Sequence, residues 1–133
     1  MEKIVKIDKK HKGVTVNFFY GNQVKCSFKK IKKILGKITH TGDECEFLSS
    51  SVEWVKMLKS DEDIIPFKVY DYWFSHVLED ENLVVPWRIS VEWDKKYNGE
   101  RVMKYIKSKL YDLREKKSKK NVGSTVQNIS STK

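Results

Sequence analysis

The first thirty positions of the chain carry the pattern of β-strands. Residues 2–8 alternate charged positions with Ile4, and residues 14–20 are β-branched and aromatic, which favours a pleated strand. Gly21-Asn22 is a two-residue hairpin signal, because glycine tolerates the positive φ that such turns need. Residues 23–28 then return as a further strand. We therefore predict an N-terminal three-stranded antiparallel meander.

Other segments have the spacing of amphipathic helices. A helix is predicted over residues 28–35, where apolar residues recur every three or four positions between lysines and Gly36 can cap the end. A Ser-Ser-Val-Glu capping box predicts a helix over residues 52–59. An aromatic stripe predicts another over residues 67–78, and a last helix carries apolar residues at one side of 102–113.

Residues 83–94 alternate apolar and polar side chains and predict a half-buried strand. The order of elements lacks the regular alternation of a parallel α/β fold. It favours an α+β domain, in which the meander and this later strand form an antiparallel sheet with three to four helices packed on it. We place a single domain at residues 1–116. Residues 117–133, basic and then rich in Ser, Thr and Asn, are expected to form a disordered tail.

Charge is arranged in three blocks. Residues 1–40 hold eleven lysines against two acids, residues 41–94 hold four cations against thirteen acids, and residues 95–133 hold twelve cations against three acids. The net charges are therefore +9, −9 and +9, and their total is the +9 of the chain. Either the blocks face one another and solvent, or the two basic ends converge into a cationic face that attracts a polyanion.

The second interpretation predicts a non-enzymatic domain that contacts the phosphate backbone of nucleic acid, either DNA or RNA. The chain has 24 lysines and only 3 arginines, so it offers point charges for phosphate more than bidentate reading of bases. The predicted contacts lie on the cationic sides of two helices. They are Lys29, Lys30, Lys32 and Lys33, supported by Lys104 and Lys107.

The alternative is a protein-interaction module or inhibitor, of viral or mobile-element origin, that binds a host protein. Acidic runs flank the aromatic segment in the middle of the chain, and tryptophan is enriched at interface hot spots. The residues predicted for this surface are Trp73, Trp87, Trp93, Glu79 and Asp80.

The sequence offers little for catalysis or metal binding, and we expect no cofactor. The three histidines and two cysteines lack the local spacing of a zinc site, so Cys26 and Cys45 are predicted to be free thiols. Glu92, Asp94 and Lys96 resemble an acid-x-Lys arrangement of metal-dependent nucleases, but such short patterns are common in a chain that is 34% charged. No run reaches the ~20 apolar residues of a membrane span. A charged N-terminus favours a cytoplasmic or nuclear protein over a secreted one.

Overall fold

The computed structural model describes residues 1–8, 18–45, 50–71, 77–92, 95 and 97–132, with the backbone alone at residues 18–21, 43 and 115–132. The strands are β1 (Lys3–Lys6), β2 (Phe18–Ser27), β3 (His40–Thr41), β4 (Val52–Lys59), β5 (Ile64–Tyr70) and β6 (Val84–Glu92). The α-helices are α1 (Phe28–Leu35) and α2 (Tyr97–Thr132), and the 3-10 turn Gly42–Glu44 follows β3.

The strands form one antiparallel sheet in the order β1-β4-β5-β6-β2, with β3 also beside β4. The α+β class and the antiparallel sheet are confirmed. The prediction of three to four helices is wrong, since the described part of the chain contains two α-helices. The division of the chain into a domain up to residue 116 and a tail stays a prediction, although α2 is continuous to Thr132.

The predicted N-terminal meander is also wrong. Strand β1 pairs with β4, so that Ile4 lies opposite Leu58, whereas β2 pairs with β6 at the other edge of the sheet. No hairpin turn separates the segments around Gly21-Asn22, because both belong to β2. The pairing with β6 shifts register between Phe19 and Asn22, so the glycine lies at an irregularity within a strand. Most of the predicted strand at residues 14–20 lies outside the described residues.

The predicted helix over residues 52–59 is instead the strand β4. Trp54 and Leu58 belong to the main core, while Val55 and Met57, which alternate with them, are buried on the opposite face. Because both faces of β4 are buried, the strand lacks the simple alternation of apolar and polar residues that marks a half-buried strand. The serines of the capping box do not cap a helix: the backbone N–H groups of Ser51 and Val52 donate to Asp71 Oδ1 at 2.7 and 3.1 Å.

The predicted helix behind Pro66 is likewise a strand as far as it is described. Ile65, Phe67 and Val69 of β5 point into the core, and Phe67 and Val69 are 0% exposed. Pro66 pairs with Met57 of β4, whereas the pairing of β5 with β6 covers only residues 68–70. Proline has no backbone N–H to donate. It is tolerated at this position because β5 is not paired with β6 there. Residues 72–76 of the predicted helix lie outside the described residues.

The main core lies between the sheet and the two helices. Its centre is an aromatic cluster in which the rings of Trp54 and Trp87 are 5.5 Å apart, with Phe28 of α1 at 6.2 and 6.1 Å from them. Val102 and Ile106 of α2 complete this layer. Within the described residues, neither helix is long and apolar enough to cross a membrane.

Candidate nucleic-acid interface

Helix α1 separates apolar and cationic side chains onto two sides. Phe28, Ile31 and Leu35 are buried in the core, as the spacing predicted. The four lysines between them, Lys29, Lys30, Lys32 and Lys33, are all exposed. Burial of the apolar stripe therefore fixes the orientation of the helix, and that orientation turns every lysine toward solvent.

The two ends of α1 are held by local hydrogen bonds. The Ser27 side chain accepts from the backbone N–H of Lys30 at 3.3 Å, which caps the N-terminus. At the other end Gly36 adopts φ 79° and its N–H donates to the Lys32 carbonyl oxygen at 2.8 Å. A residue with a Cβ would be strained in this conformation, so the predicted role of Gly36 as the cap is confirmed.

The beginning of α1 also rests on the acidic loop before β6. The backbone N–H of Phe28 donates to the Leu83 carbonyl oxygen at 3.2 Å, and that of Lys29 donates to the Glu81 carbonyl oxygen at 2.8 Å. Glu79 and Asp80, predicted for the alternative protein-interaction surface, are exposed in the same loop. The backbone of this acidic loop therefore contacts the first turn of α1, whereas Lys32 and Lys33 lie in the last turn of the helix.

A groove of about 260 Å³ lies between α1 and α2 and brings cations from both helices together. Lys33 lines it from α1, and Tyr105, Lys109 and Asp112 line it from α2. The Lys109 ammonium lies 5.4 Å from the centre of the Tyr105 ring, within the range of a cation–π contact. The two helices thus offer two ammonium groups and an aromatic ring at one groove, although the Asp112 carboxylate reduces the local charge.

The lysines predicted on α2 are not the ones that meet α1. Lys104 is exposed and its ammonium is 3.4 Å from Glu100 Oε1. Lys107 is exposed and lies midway between Tyr105 and Lys109 in the helix, so the 3.6-residue turn directs it away from the groove. Lys109 was missed because the sequence does not show which side of α2 contacts α1.

The residues predicted for protein interaction are described only in part, and Trp87 among them belongs to the core. Trp87 is 0% exposed, and its indole Nε1–H donates to the Cys26 carbonyl oxygen at 3.0 Å within the core. Trp73 and Trp93 lie outside the described residues. Of the three described members, Glu79 and Asp80 are exposed and Trp87 is not, so this surface stays a prediction without an aromatic anchor in the described part of the chain.

The described residues give little support to nucleophilic or metal chemistry. Burial raises the pKa of the Cys26 thiol to about 11, and burial together with the carboxylates of Glu53 and Asp71 raises that of Cys45 to about 12. Such thiols stay protonated at neutral pH and are poor nucleophiles. Both are free and buried. The described residues contain no cluster of three or more His, Cys, Asp or Glu side chains that could hold a metal ion.

The acid-x-Lys pattern cannot be assembled from what is described. Glu92 ends β6, and its carboxylate lies 4.0 Å from the Lys95 ammonium. Asp94 and Lys96 lie outside the described residues. Asp71, an acid that precedes the pattern in the sequence, is 0% exposed and accepts hydrogen bonds from the backbone at the start of β4. Its position is explained by that structural role.

The sequence interpretation also missed a buried polar layer on the second face of the sheet. Glu53, Lys68 and Ser90 are all 0% exposed, although they alternate with core residues along β4, β5 and β6. Glu53 Oε1 is 2.9 Å from His40 Nδ1, and the Ser90 hydroxyl donates to the Tyr70 hydroxyl oxygen at 3.1 Å. Ionisable side chains this deep in a small domain are uncommon unless they are paired.

Comparisons of the chain with protein-family models, with curated proteins and with solved structures found no match.

Proposed function

We propose that the chain is a non-enzymatic binding domain that contacts nucleic acid mainly through the phosphate backbone, with the exposed side of α1 as the principal contact surface. The observation that carries the proposal is the display of four lysines within five positions of one anchored helix. Lysine ammonium groups bind phosphate as point charges, and each neutralised phosphate releases a condensed counterion.

The groove between the helices extends this surface. Lys33 and Lys109 can contact neighbouring phosphates, and Tyr105, which is half-buried beside them, offers part of a ring to an unstacked base. Lys104 and Lys107 are proposed to act at longer range, through the field of α2 rather than by direct contact in the groove. A surface of this kind has affinity without sequence reading, because it has no arginine fork or amide directed at base edges.

The test is a fluorescence-anisotropy titration of the full chain against duplex DNA, duplex RNA and single strands over a range of salt concentrations. On B-form DNA the logarithm of affinity falls by about 0.9 per decade of salt for each phosphate neutralised. The double variant Lys32→Gln/Lys33→Gln is therefore expected to reduce this slope by about 1.8. Both side chains are exposed, so the fold should be retained.

The matched control is Lys3→Gln/Lys59→Gln. These two lysines are also exposed and lie opposite each other on β1 and β4, at the edge of the sheet away from β2. The control removes the same charge and should leave the slope within experimental error. An equal loss of affinity in the two double variants would mean that only net charge matters, and the proposed surface would be abandoned. Binding that does not strengthen as salt is lowered would have the same consequence.

A further inference from the structure

One edge of β4 is shared between two short strands that leave a gap between them. Strand β3 pairs with Val52 and Glu53, and β1 pairs with the segment from Lys56 to Lys59. In the gap the backbone of Val55 has no strand partner on this side among the described residues. The Thr39 hydroxyl takes that place, since it accepts from the Val55 N–H at 2.9 Å and is 3.5 Å from the Val55 carbonyl oxygen.

A cavity of about 540 Å³ opens at this gap. Three lysines line it from three different segments: Lys6 from the end of β1, Lys37 from the residues after α1, and Lys56 from β4. Apolar side chains of Ile7 and Ile38 form part of the remaining wall. A volume of this size lies within the range of roughly 300–1,000 Å³ that is usual for pockets that hold small organic ligands.

The convergence of these lysines costs stability. Lys6 and Lys56 are direct cross-strand partners in the β1–β4 register, an arrangement that is destabilising for like charges. The pKa of the Lys56 ammonium is lowered by its partial burial first, and then by the charges of Lys6 and Lys37. A bound anion would remove this repulsion, because it would lie among all three ammonium groups.

The wall that carries Lys37 is held in place before any ligand binds. The Trp54 indole Nε1–H donates to the Gly36 carbonyl oxygen at 3.0 Å, and the Thr39 N–H donates to the Glu53 carbonyl oxygen at 3.0 Å. These contacts fix the segment on both sides of Lys37. A site whose walls are already ordered loses less conformational entropy when it binds a ligand.

We propose that this cavity binds a phosphate monoester of small organic size, with the phosphate among Lys6, Lys37 and Lys56 and the organic part against Ile7 and Ile38. Phosphate matches the site because it carries close to two negative charges and several acceptor oxygens, which suit three separate ammonium donors. The monoester can belong to a free nucleotide or to the 5′ end of a nucleic-acid strand, and the chemistry at the lysines is the same. The site is separate from the lysines of α1.

The experiment is an NMR titration of the isotope-labelled full chain with adenosine 5′-monophosphate, with adenosine as the uncharged probe. Saturable shifts are expected at the amides of residues 37–40 and 55 with the nucleotide and not with adenosine. Lys56→Gln should lower the affinity for the nucleotide by at least about tenfold, as expected for the loss of one charge-assisted contact. Lys59→Gln is the matched control variant, because Lys59 belongs to the same strand but does not line the cavity. This variant should bind the nucleotide as tightly as the wild type does.

Thermal unfolding without ligand is the check on folding. Lys56→Gln should melt no lower than the wild type, because the substitution removes repulsion, and the nucleotide should raise the melting temperature of the wild type more than that of Lys56→Gln. Equal weakening of nucleotide binding by Lys56→Gln and Lys59→Gln would overturn the proposal, and so would the absence of saturable shifts with both millimolar nucleotide and a 5′-phosphorylated strand. The Lys32→Gln/Lys33→Gln variant should bind the nucleotide normally, so the failure of one proposal can be told from failure of the other.

A second titration distinguishes the two sources of the monoester. It compares a short single-stranded oligonucleotide that carries a 5′-phosphate with the same strand lacking it. Tighter binding of the phosphorylated strand than of the mononucleotide identifies a strand end as the ligand, and the reverse identifies a free nucleotide. If the mononucleotide causes no saturable shift and the two strands bind equally well, the cavity has no preference for a monoester and the proposal is wrong.

Discussion

The hydroxyl of Thr39 replaces a strand at the gap in the sheet edge, and its removal gives a sharp test of this part of the fold. Thr39→Val keeps the shape of the side chain and exchanges the hydroxyl for a methyl group. The Val55 N–H, which donates to that hydroxyl at 2.9 Å, would then have no acceptor at the same distance. The neighbouring strands cannot supply one, because β3 and β1 pair with residues on either side of this position.

The expected cost follows from the geometry. Of the two contacts of the Thr39 hydroxyl, the one at 2.9 Å is a good hydrogen bond, whereas the one at 3.5 Å is at the limit and is discounted. A buried N–H left without a partner costs about 1–3 kcal/mol. Thr39 is only half-buried, so water can partly replace the hydroxyl and the lower part of this range applies. We expect Thr39→Val to lower the free energy of unfolding by about 1–2 kcal/mol.

Equilibrium unfolding in urea, combined with amide hydrogen exchange at Val55, measures both the global and the local effect. Thr41→Val is the matched control, because Thr41 is exposed and its side chain makes no capping hydrogen bond. Its effect should stay within about 0.5 kcal/mol. The reasoning is refuted if the two variants are equally stable and the Val55 amide exchanges at the same rate in both. In that case water rather than Thr39 satisfies the edge of β4.

Two further predictions concern titratable groups. Burial raises the pKa values of the Cys26 and Cys45 thiols to about 11 and 12. Neither thiol should react with a thiol reagent at pH 8 in the folded protein, and both should react at once in denaturant. Prompt reaction of either thiol in the folded state would contradict its burial. Hydrogen bonds from Arg101 hold the pKa of Asp63 below its ordinary value of 3.8. This ion pair therefore contributes stability above that value and loses it as the pH falls through the lowered pKa. Arg101→Gln should reduce stability at pH 7 and flatten the acidic part of the plot of melting temperature against pH. If the plots for the wild type and the variant are parallel, the ion pair makes no such contribution.

The local sequence was sufficient to predict α1. All the signals that define the helix lie within ten consecutive residues: the Ser27 cap, the apolar residues Phe28, Ile31 and Leu35, and the glycine at the end. Each acts over one turn of the helix, so no distant contact is needed to choose the structure. The exposed lysines follow from the same pattern, which is why this part of the candidate interface could be named from the sequence.

Strand β4 could not be predicted in this way. Its Ser-Ser-Val-Glu start has the composition of a capping box, yet the backbone there is held by Asp71, which follows β5 and lies beside the start of β4 in the antiparallel pair. Glu53 on one face and Trp54 on the other are both buried, so polarity does not mark a solvent-exposed face of this strand. The tertiary partners of β4 thus decide its structure, and they cannot be inferred from the propensities of neighbouring residues in the sequence.

The charge blocks of the sequence are also less informative than the positions of single lysines. Lys33 and Lys109 belong to the two basic ends and do meet, at the groove between α1 and α2. The lysines of the second cavity follow a different rule, because Lys56 lies in the acidic middle of the chain and meets Lys6 through the register of β1 on β4. Lysines that share a helix can be recognised from their spacing, whereas lysines brought together by a strand register can be recognised only once the pairing is known. The cavity lysines, rather than those of α1, therefore provide the test of function that the sequence could not have suggested.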